Sequence, residues 1–599
     1  MAEQHFEEEQ FDSKFSGKTV LRIIGLTKPH WKLLVGFLVF IAITSVTEST
    51  YTFLIKKAID EGIAAGDLSV FGRYMVMYGG MVFLLALSVF AFIYCAGWLG
   101  ELITYDLRKK MFAHLQRLSF SFFDRTPIGW LMSRVTSDST RISELATWML
   151  LDLTWAITNM VAGMVYMLII NWRMALWVIA VIPILVIVAV RFKKYIIHQY
   201  RKVRSINSKI TGSYNENITG VRVVKALVRE EENLRSFGTL TNDMFKSSYR
   251  AAWLSSLFLP IVQIISAVAV SVVIWYGGIQ TGAGTMTVGG IQAFIGYITF
   301  MLWPVQDLAR VYSEMQRSIA SAERVFSLLD TEPDIADSPD ATAVQSLRGT
   351  IVFDHVCFHY EEDNPVLKDF TLEVTPGETI ALVGPTGGGK TTIANLACRF
   401  YEPKQGKILI DGVDYRAYTQ ESIQSKLGVV LQTPHMFSGT IMDNIRYGRL
   451  DATESEVIDA ARAAHAHEFI EALNGGYDEE VGEGGALLSV GQKQLISLAR
   501  AILAKPDIII MDEATSSIDT ITEGLIQRGI DRLLSTSTGF VIAHRLSTIR
   551  NADRIMVIER GQVTESGTHD ELIAHEGHYF SLYTKQFRRE HSKDVKALR

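Results

Sequence analysis

A glycine-rich segment that follows a run of apolar residues carries the clearest chemical pattern in this sequence. The stretch "TIALVGPTGGGKTTIANLACRF" predicts a strand, a tight loop and a helix, and its loop fits G-x-x-x-x-G-K-[ST]. Glycines let backbone N–H groups wrap around phosphates, Lys390 can reach a β- or γ-phosphate, and Thr391 can bind Mg²⁺. A glycine-rich turn without a ligand is the alternative, and the flanking strand and helix count against it. The loop residues concerned are Gly384, Pro385, Thr386, Gly387, Gly388, Gly389, Lys390, Thr391 and Thr392.

Two later apolar runs end in polar residues that suit phosphate chemistry. Residues 508–511 predict a buried parallel strand that ends in Asp512 and Glu513. Asp512 can hold Mg²⁺, directly or through water, and Glu513 is placed to polarise an attacking water. The run "GFVIAHRL" ends in His544, which can contact the γ-phosphate side. A single histidine at a strand end is usually structural, but its place beside the other motifs favours a role in catalysis.

The stretch "LLSVGQKQLISLARA", residues 487–501, predicts the start of a helix. Ser489 and Gln492 have the spacing of a capping box, in which each side chain bonds the other residue's backbone N–H. The N–H groups at such a helix start also form an anion site. Val490 is stiff and branched at a position that would lie close to that anion.

The residues named so far lie in the second half of the chain, whose composition differs from that of the first half. The chain has 599 residues, of which 48% are hydrophobic, and its length indicates several domains. A net charge of -6 does not indicate nucleic-acid binding, and three scattered cysteines do not indicate a disulfide framework or a metal site. The acidic, polar start "MAEQHFEEEQFDSKF" does not have the pattern of a signal peptide.

The first half of the chain has the pattern of a membrane protein. A helix needs about 20 mostly apolar residues to span a bilayer. Six segments meet this requirement: 33–56, 74–98, 145–170, 174–191, 254–276 and 287–310. The third and fourth are separated only by "NWR", which predicts a tight hairpin.

The charges between these segments predict their orientation. Residues 99–145 contain seven basic side chains and residues 191–250 contain thirteen, whereas 58–72 and 277–286 contain none. The excess of positive charge on cytoplasmic loops therefore places both long loops, and both termini, in the cytoplasm. The long loops keep a helical period, so we expect the membrane helices to extend well into the cytosol.

Glu48 is an ionisable residue inside the first predicted span. Acids in that position are costly and usually face a cavity or a partner. A polar contact between helices, or a place nearer the interface, is the simpler interpretation. The alternative is that Glu48 lines a cavity for cationic substrates, and Asp152 could be interfacial.

Together these motifs resemble an ABC exporter half-transporter, in which six membrane helices are fused to one ATP-binding cassette. The resemblance covers about 15–585 and follows the family's motif order. "FFDRTPIGWLMSRVTSD" and "NITGVRVVKALVREEE" are similar to the two intracellular coupling loops. In the cassette, the matching residues are Tyr360 (adenine stacking), Gly384–Thr392 (Walker A), Gln432 (Q-loop), Glu483 (contact with coupling helices), Leu488, Ser489, Val490, Gly491 and Gln492 (signature), Asp512 and Glu513 (Walker B), Ser516–Asp519 (D-loop) and His544 (switch).

The resemblance implies cofactors, partners and a mechanism. The cofactors are ATP and Mg²⁺, with Thr391, Gln432 and Asp512 as metal ligands. Two cassettes meet head to tail and trap two ATP molecules, each between the Walker A of one chain and the signature of the other. The implied partners are a second half-transporter, membrane lipid and a small amphipathic substrate, without nucleic acid.

The signature motif bears on the identity of the second half-transporter. The family usually has Leu-Ser-Gly-Gly-Gln, whereas this chain has Val490 at the third position. In heterodimeric exporters of the family, one chain keeps the catalytic Glu and switch His but has an altered signature. This chain has that pattern, which favours a heterodimer, and a homodimer that tolerates Val490 is the alternative.

The expected fold is a membrane all-α domain of six helices that extend into the cytosol, fused to a P-loop α/β cassette. The expected function is ATP-driven export of amphipathic compounds, of the multidrug type, across the cytoplasmic membrane. A lipid or lipid-precursor flippase, and an ATP-gated regulator or channel, are the alternatives. The expected parts are an N-terminal segment with an elbow helix (1–32), the membrane domain with two coupling loops (33–329), a linker (330–346), the cassette (347–585) and a polar tail (586–599).

Overall fold

The chain divides into two units, each of which is described by itself. They comprise Met1–Arg117 with Thr126–Thr331, and Leu118–Arg125 with Glu332–Arg599. The computed structural model describes residues 17–512, 519–543 and 546–584. Within these ranges, side chains are described except at 182, 186, 189, 190, 193, 302–313, 520, 546 and 547. The expected C-terminal tail, 586–599, lies outside the described residues.

The first unit is built from helices. The described helices, in chain order, are α1 (Gly17–Leu26), α2 (Trp31–Lys57), α3 (Leu68–Leu115), α5 (Ile128–Ser133), α6 (Ser139–Glu144), α7 (Leu150–Thr219), α8 (Val221–Ala226), α9 (Glu230–Gly282) and α10 (Val288–Asp330); α4 (Phe120–Arg125) belongs to the second unit. Short π-helical stretches, Arg134–Asp138 and Leu145–Met149, join α5 to α6 and α6 to α7.

Several of these helices are long and apolar enough to cross a membrane. Within the described residues they are Lys28–Ile63, Leu68–Leu115, Ile128–Leu185 and Glu230–Gly282, and Val288–Met301 is a shorter apolar helix. At 1.5 Å per residue, the 48 residues of α3 extend about 72 Å. Because the hydrocarbon core of a bilayer is about 30 Å thick, α3 continues far beyond it.

The predicted hairpin between the third and fourth spans coincides with a break in α7. Asn171 has extended backbone angles (φ -159°, ψ 103°) inside an otherwise helical run. Its side-chain oxygen accepts a hydrogen bond from the Met174 backbone N–H at 3.1 Å, and its amide donates to the Gln280 side chain. Asn171 therefore caps the helix that follows, as an N-cap asparagine does.

A buried ion cluster joins α10 to the π-helical stretch Arg134–Asp138. The Asp138 carboxylate is 1% exposed. It accepts from Arg134 at 3.0 Å and from two nitrogens of Arg324 at 3.1 and 2.9 Å. A buried charge needs pairing of this kind, so loss of either arginine would leave the buried carboxylate with weaker compensation.

The second unit contains two sheets. The strands are β1 (Ile351–His359), β2 (Pro365–Val374), β3 (Thr379–Val383), β4 (Gln405–Ile410), β5 (Val413–Asp414), β6 (Leu427–Val430), β7 (Ile508–Asp512), β8 (Thr538–Ile542), β9 (Arg554–Glu559) and β10 (Gln562–Gly567). One sheet has the antiparallel order β2-β1-β4-β5. The other has the order β10-β9-β3-β8-β7-β6, in which only the β10–β9 pair is antiparallel.

The second unit also contains a series of helices besides α4. They are α11 (Lys390–Ala397), α12 (Gln420–Gln424), α13 (Ile441–Arg446), α14 (Glu454–Ala463), α15 (His467–Glu471), α16 (Val490–Ala504), α17 (Thr520–Leu534), α18 (Leu546–Asn551), α19 (His569–Ala574) and α20 (His578–Leu582). All five residues of β3 and of β8 are buried. A parallel sheet buried on both faces explains their continuous apolar runs.

Two segments near the expected domain boundaries pack within the second unit. The segment Leu118–Arg125 was expected inside the membrane domain but packs with the second unit, because the Phe120 and Phe400 rings lie 4.3 Å apart. Within the expected linker 330–346, two residues hydrogen-bond to other parts of the second unit. The Ile335 backbone N–H donates to Ser119, and Asp337 accepts from the Gln420 backbone N–H.

Candidate functional site

The carboxyl ends of adjacent parallel strands bring the phosphate-site residues to one edge of the sheet. The neighbours β3, β8, β7 and β6 run parallel, with Leu382 and Asp512 both paired to Ile542, and Met511 paired to Val430. The glycine-rich loop follows β3, Asp512 ends β7, and Gln432 lies two residues beyond β6. Ligands of open α/β sheets bind at this edge.

The glycine-rich loop has a backbone that requires glycine. Gly384, Gly387 and Gly389 have φ values of 147°, 80° and 109°. A Cβ on Gly384 would lie 2.1 Å from the Ile558 carbonyl oxygen, and one on Gly388 would lie 2.7 Å from the same atom. The close approach leaves no room for a side chain, and glycine adopts these positive φ angles without the steric cost that a Cβ would add. Pro385, Thr386 and Gly387 form the exposed turn of the loop.

Lys390 is the first residue of α11 and is folded into the loop. Its Nζ donates to the carbonyl oxygens of Gly384 at 2.8 Å and Pro385 at 3.0 Å, and its side chain is 7% exposed. Burial lowers the pKa of the Lys390 ammonium, and the nearby Asp512 carboxylate opposes part of that shift. The positive charge is thus held at the start of the helix, where a phosphate would bind.

The oxygen atoms at this edge suit Mg²⁺. Thr391 presents an exposed hydroxyl beside Lys390, Asp512 supplies a carboxylate at the end of β7, and Gln432 supplies an exposed amide oxygen. Hard oxygen ligands of this kind, completed by phosphate and water, are what Mg²⁺ prefers. Glu513 and His544, the predicted catalytic pair, lie outside the described residues.

Tyr360, the predicted adenine-stacking residue, is half-buried just after β1. Its hydroxyl lies 3.3 Å from the hydroxyl of Thr392, the buried residue at the end of the Walker A motif. Its ring meets Phe358 and Tyr401 nearly at right angles, with centroids 4.9 and 5.1 Å apart. The aromatic residue is therefore joined to the phosphate loop by a side-chain contact.

The signature stretch forms the capped helix start that its sequence predicts. The Ser489 hydroxyl accepts from the Gln492 backbone N–H at 3.3 Å, and the Gln492 side chain accepts from the Ser489 N–H at 2.9 Å. Leu488 and Gly491 are buried, whereas Val490 is 51% exposed as the first residue of α16. The capping box is thus confirmed, and the Val490 side chain faces outward.

Two other predicted residues lie at exposed positions. Asp519 caps α17, and its carboxylate accepts from the Thr522 backbone N–H at 2.9 Å, which lowers the pKa of Asp519. Glu483 is exposed at the start of a short 3₁₀ turn before the signature. The rest of the D-loop, residues 516–518, lies outside the described residues.

Comparison with known proteins gives the family. Residues 34–305 match the model of the ABC transporter transmembrane region, and residues 367–516 match the ABC transporter model. The chain is 36% identical over 554 residues to an ATP-dependent lipid A-core flippase of Desulfotalea psychrophila, covering 92% of this chain and 96% of the flippase. This chain belongs to the ABC exporter family.

Two further similarities support that assignment. A fatty acid ABC transporter ATP-binding/permease protein of Mycobacterium tuberculosis is 40% identical over 476 residues, covering 80% of this chain and 75% of that protein. The solved structure of a bacterial Atm1-family ABC exporter with ATP bound matches with a TM-score of 0.74 and 29% identity, covering 93% of this chain and 98% of that one. The exporter is thus a multi-pass protein of the cell membrane with a cytosolic cassette that hydrolyses ATP, as expected from its sequence.

Glu48 of the exporter lies in a polar cluster between α2 and α7. Its Oε2 accepts from the Trp155 indole at 3.1 Å and from the Asn159 amide at 2.8 Å. Asn159 also accepts from Ser49 at 3.4 Å and is itself buried. Glu48 is thus half-buried with two donors on one oxygen.

Some residues at these sites were not predicted. Asn159 lies one helical turn beyond Trp155, so the two share a face of α7, but nothing in the sequence pairs that face with Glu48 of α2. Tyr401 and Asp124 contact each other beside Tyr360, although they are far apart in sequence. The "FFD" stretch was recognised as part of a coupling loop, but nothing local in "RFYEP" indicates where Tyr401 lies.

Proposed function

We propose that this exporter moves amphipathic compounds, of the multidrug type, out across the cytoplasmic membrane by alternating access driven by ATP binding and hydrolysis. The half-buried carboxylate of Glu48, which lies among aromatic rings, is the observation that supports this class of transported compound. A carboxylate attracts a cationic head, and aromatic faces bind both cations and apolar groups.

The aromatic surroundings of Glu48 support this cargo class. Trp155 donates to the Glu48 carboxylate, and its ring centroid is 6.0 Å from that of Phe300. Between the same two helices, the hydroxyl of Tyr166 in α7 lies 2.7 Å from the hydroxyl of Thr50 in α2, and the Tyr166 ring centroid lies 5.3 Å from that of Phe53. The membrane unit therefore combines the Glu48 carboxylate with aromatic rings from α2, α7 and α10.

We propose the following roles in the ATP site. Tyr360 stacks on adenine, the loop from Gly384 to Thr392 binds the phosphates, and Lys390 contacts the β- and γ-phosphates. Thr391, Gln432 and Asp512 hold Mg²⁺, Glu513 polarises the attacking water and His544 contacts the γ-phosphate. Lys390 and Asp512 both lie at the carboxyl ends of the parallel strands, which supports these roles. Positioning and charge stabilisation supply most of the catalysis of phosphoryl transfer.

We also propose that the partner is a different half-transporter. ABC exporters function as dimers, and each chain supplies one Walker A and one signature. Val490 presents a half-exposed branched side chain at the signature where the family usually has glycine. A partner with an intact signature would complete the site of Glu513, and Val490 would lie at the second, weaker site.

The oligomer itself can be tested with the purified chain. We expect the full-length chain, reconstituted alone in nanodiscs, to hydrolyse ATP slowly and to gain at least about tenfold in rate when its partner half-transporter is co-reconstituted. A fully active dimer of identical chains, measured by mass photometry with an ATPase assay, would contradict the heterodimer.

A lipid flippase is the second candidate, because two relatives are named as a lipid A-core flippase and a fatty acid transporter. The discriminating experiment is ATP-dependent transport in proteoliposomes that contain the assembled exporter. A cationic amphiphile, a neutral amphiphile and a fluorescent phospholipid are compared at equal concentration. Transport of the first above the other two supports the multidrug proposal, whereas movement of the phospholipid alone would replace it with the flippase.

A further inference from the structure

The position of Tyr360 is set by residues outside the cassette's recognised motifs. Its backbone carbonyl oxygen accepts a hydrogen bond from Arg125 of α4 at 3.0 Å. Its ring lies 5.1 Å from the Tyr401 ring, at an interplanar angle of 88°. Both the main chain and the ring of Tyr360 are therefore held by neighbours from other parts of the chain.

Tyr401 is itself fixed by the helix that holds the Tyr360 backbone. The Tyr401 hydroxyl donates to the carboxylate of Asp124, the residue before Arg125 in α4. The Tyr401 side chain is only 9% exposed, and its ring also meets that of Phe358 at 5.6 Å. Burial, followed by the hydrogen bond to Asp124, raises the pKa of Tyr401 well above its ordinary value, so the hydroxyl remains a proton donor.

The packing of α4 makes this arrangement rigid. Phe120 lies against Phe400, the neighbour of Tyr401, with ring centroids 4.3 Å apart. Ser121 of α4 donates to Asp334, and Ser119 accepts from the Ile335 backbone N–H at 3.1 Å. The start of α4 and the residue before it are thus attached to the second unit, just ahead of the two residues that contact Tyr360 and Tyr401.

We infer that Tyr401 and Asp124 are positioning residues for the adenine ring: they hold Tyr360 in the orientation that stacks on the base. The inference deepens the proposed role of Tyr360 and rests on it. Stacking depends on ring orientation, and two near-perpendicular neighbours restrict the rotation of Tyr360 about its side-chain bonds. Loss of the Tyr401–Asp124 hydrogen bond frees the Tyr401 ring and, through it, the ring of Tyr360.

The test compares a ligand that has a base with one that lacks it. Dissociation constants for ATP and for inorganic tripolyphosphate are measured calorimetrically with the full-length chain in nanodiscs, in EDTA to prevent hydrolysis. We expect Tyr401→Phe and Asp124→Ala each to weaken ATP binding by about three- to tenfold, the range that one aromatic or hydrogen-bonded contact supplies. Tripolyphosphate binding should stay unchanged, and the double variant should match either single one.

The matched control is Tyr477→Phe. It removes another half-buried tyrosine hydroxyl, which lies 2.9 Å from His467 Nδ1, and it should alter neither ligand. Equal weakening of ATP and tripolyphosphate by Tyr401→Phe, or no weakening by Asp124→Ala, would overturn the inference. Tyr360→Ala tests the stacking role of Tyr360 separately from the positioning role of Tyr401 and Asp124. If Tyr360→Ala leaves ATP binding unchanged, Tyr360 does not stack on adenine, and the positioning role fails with it.

Discussion

Replacement of Glu48 by glutamine isolates the charge of the acid in the membrane unit. The Glu48 Oε2 accepts from Trp155 at 3.1 Å and from Asn159 at 2.8 Å. A glutamine amide oxygen can accept both bonds and has nearly the same size, so the helix contacts are retained. The main change in Glu48→Gln is therefore the loss of one negative charge.

The size of the effect follows from the Coulomb energy of a cation near this carboxylate. At about 4 Å and an effective dielectric constant of about 20, the attraction is about 4 kcal/mol. Desolvation of both charges offsets much of this energy and leaves about 1.4 kcal/mol, or about a tenfold change in affinity. A neutral amphiphile has no Coulomb attraction to the Glu48 carboxylate, so we expect its transport to change less than about twofold.

The assay is ATP-dependent uptake into inside-out proteoliposomes, measured as the KM for a cationic amphiphile and for a neutral analogue of equal size. Glu48→Asp keeps the charge and should retain most of the cationic preference. Glu101→Gln removes an exposed carboxylate from α3 and serves as the matched control. An equal change in KM for both cargos would show that Glu48 only joins helices.

Three other predictions concern the cassette. Glu513→Gln should nearly abolish ATP turnover while nucleotide still binds, and substantial residual hydrolysis in an ATPase assay would exclude the assigned role. Val490→Gly should raise ATP turnover or equalise nucleotide occlusion at the two sites, and an unchanged rate would count against Val490 as the cause of asymmetry. The pKa of Glu456 is lowered to about 2 by the Thr453 backbone N–H and by Arg449, so its stabilisation of α14 is complete above pH 4.5 and is lost as the pH falls through 2. In acid unfolding between pH 5 and pH 2, the Glu456→Gln variant should therefore lose less stability than the wild-type chain. Glu454→Gln is the control. Identical loss of stability in Glu456→Gln and the wild-type chain would refute the assignment.

The phosphate loop could be predicted from sequence because its determinants are local. The glycines, Lys390 and Thr391 are contiguous, and an apolar strand and a helix flank them. The capping box of Ser489 and Gln492 was predictable for the same reason, since it spans only four residues. The hairpin at Asn171 was also predicted, although its cap on Met174 became evident only from the structure.

Contacts between distant residues could not be predicted in this way. Asp124 and Tyr401 are 277 positions apart, and Arg125 and Tyr360 are 235 apart. No periodicity in either segment indicates which aromatic residue meets which acid. The packing of α4 with the rest of the second unit has the same origin, because the Phe120–Phe400 contact joins a short helix to a segment far away in the sequence.

The structure also bears on the physical cause of the asymmetry that we propose at the signature. The cap on Ser489 satisfies the Gln492 N–H and leaves the N–H groups of Val490 and Gly491 outside the helical ladder. The start of α16 therefore keeps its attraction for an anion, and the electrostatic part of the site is intact. What differs is the half-exposed Val490 side chain, which occupies space at the helix start. A steric cause predicts that Val490→Ala, which removes the branch but keeps a side chain, gives part of the gain of Val490→Gly, whereas an electrostatic cause predicts no change from either.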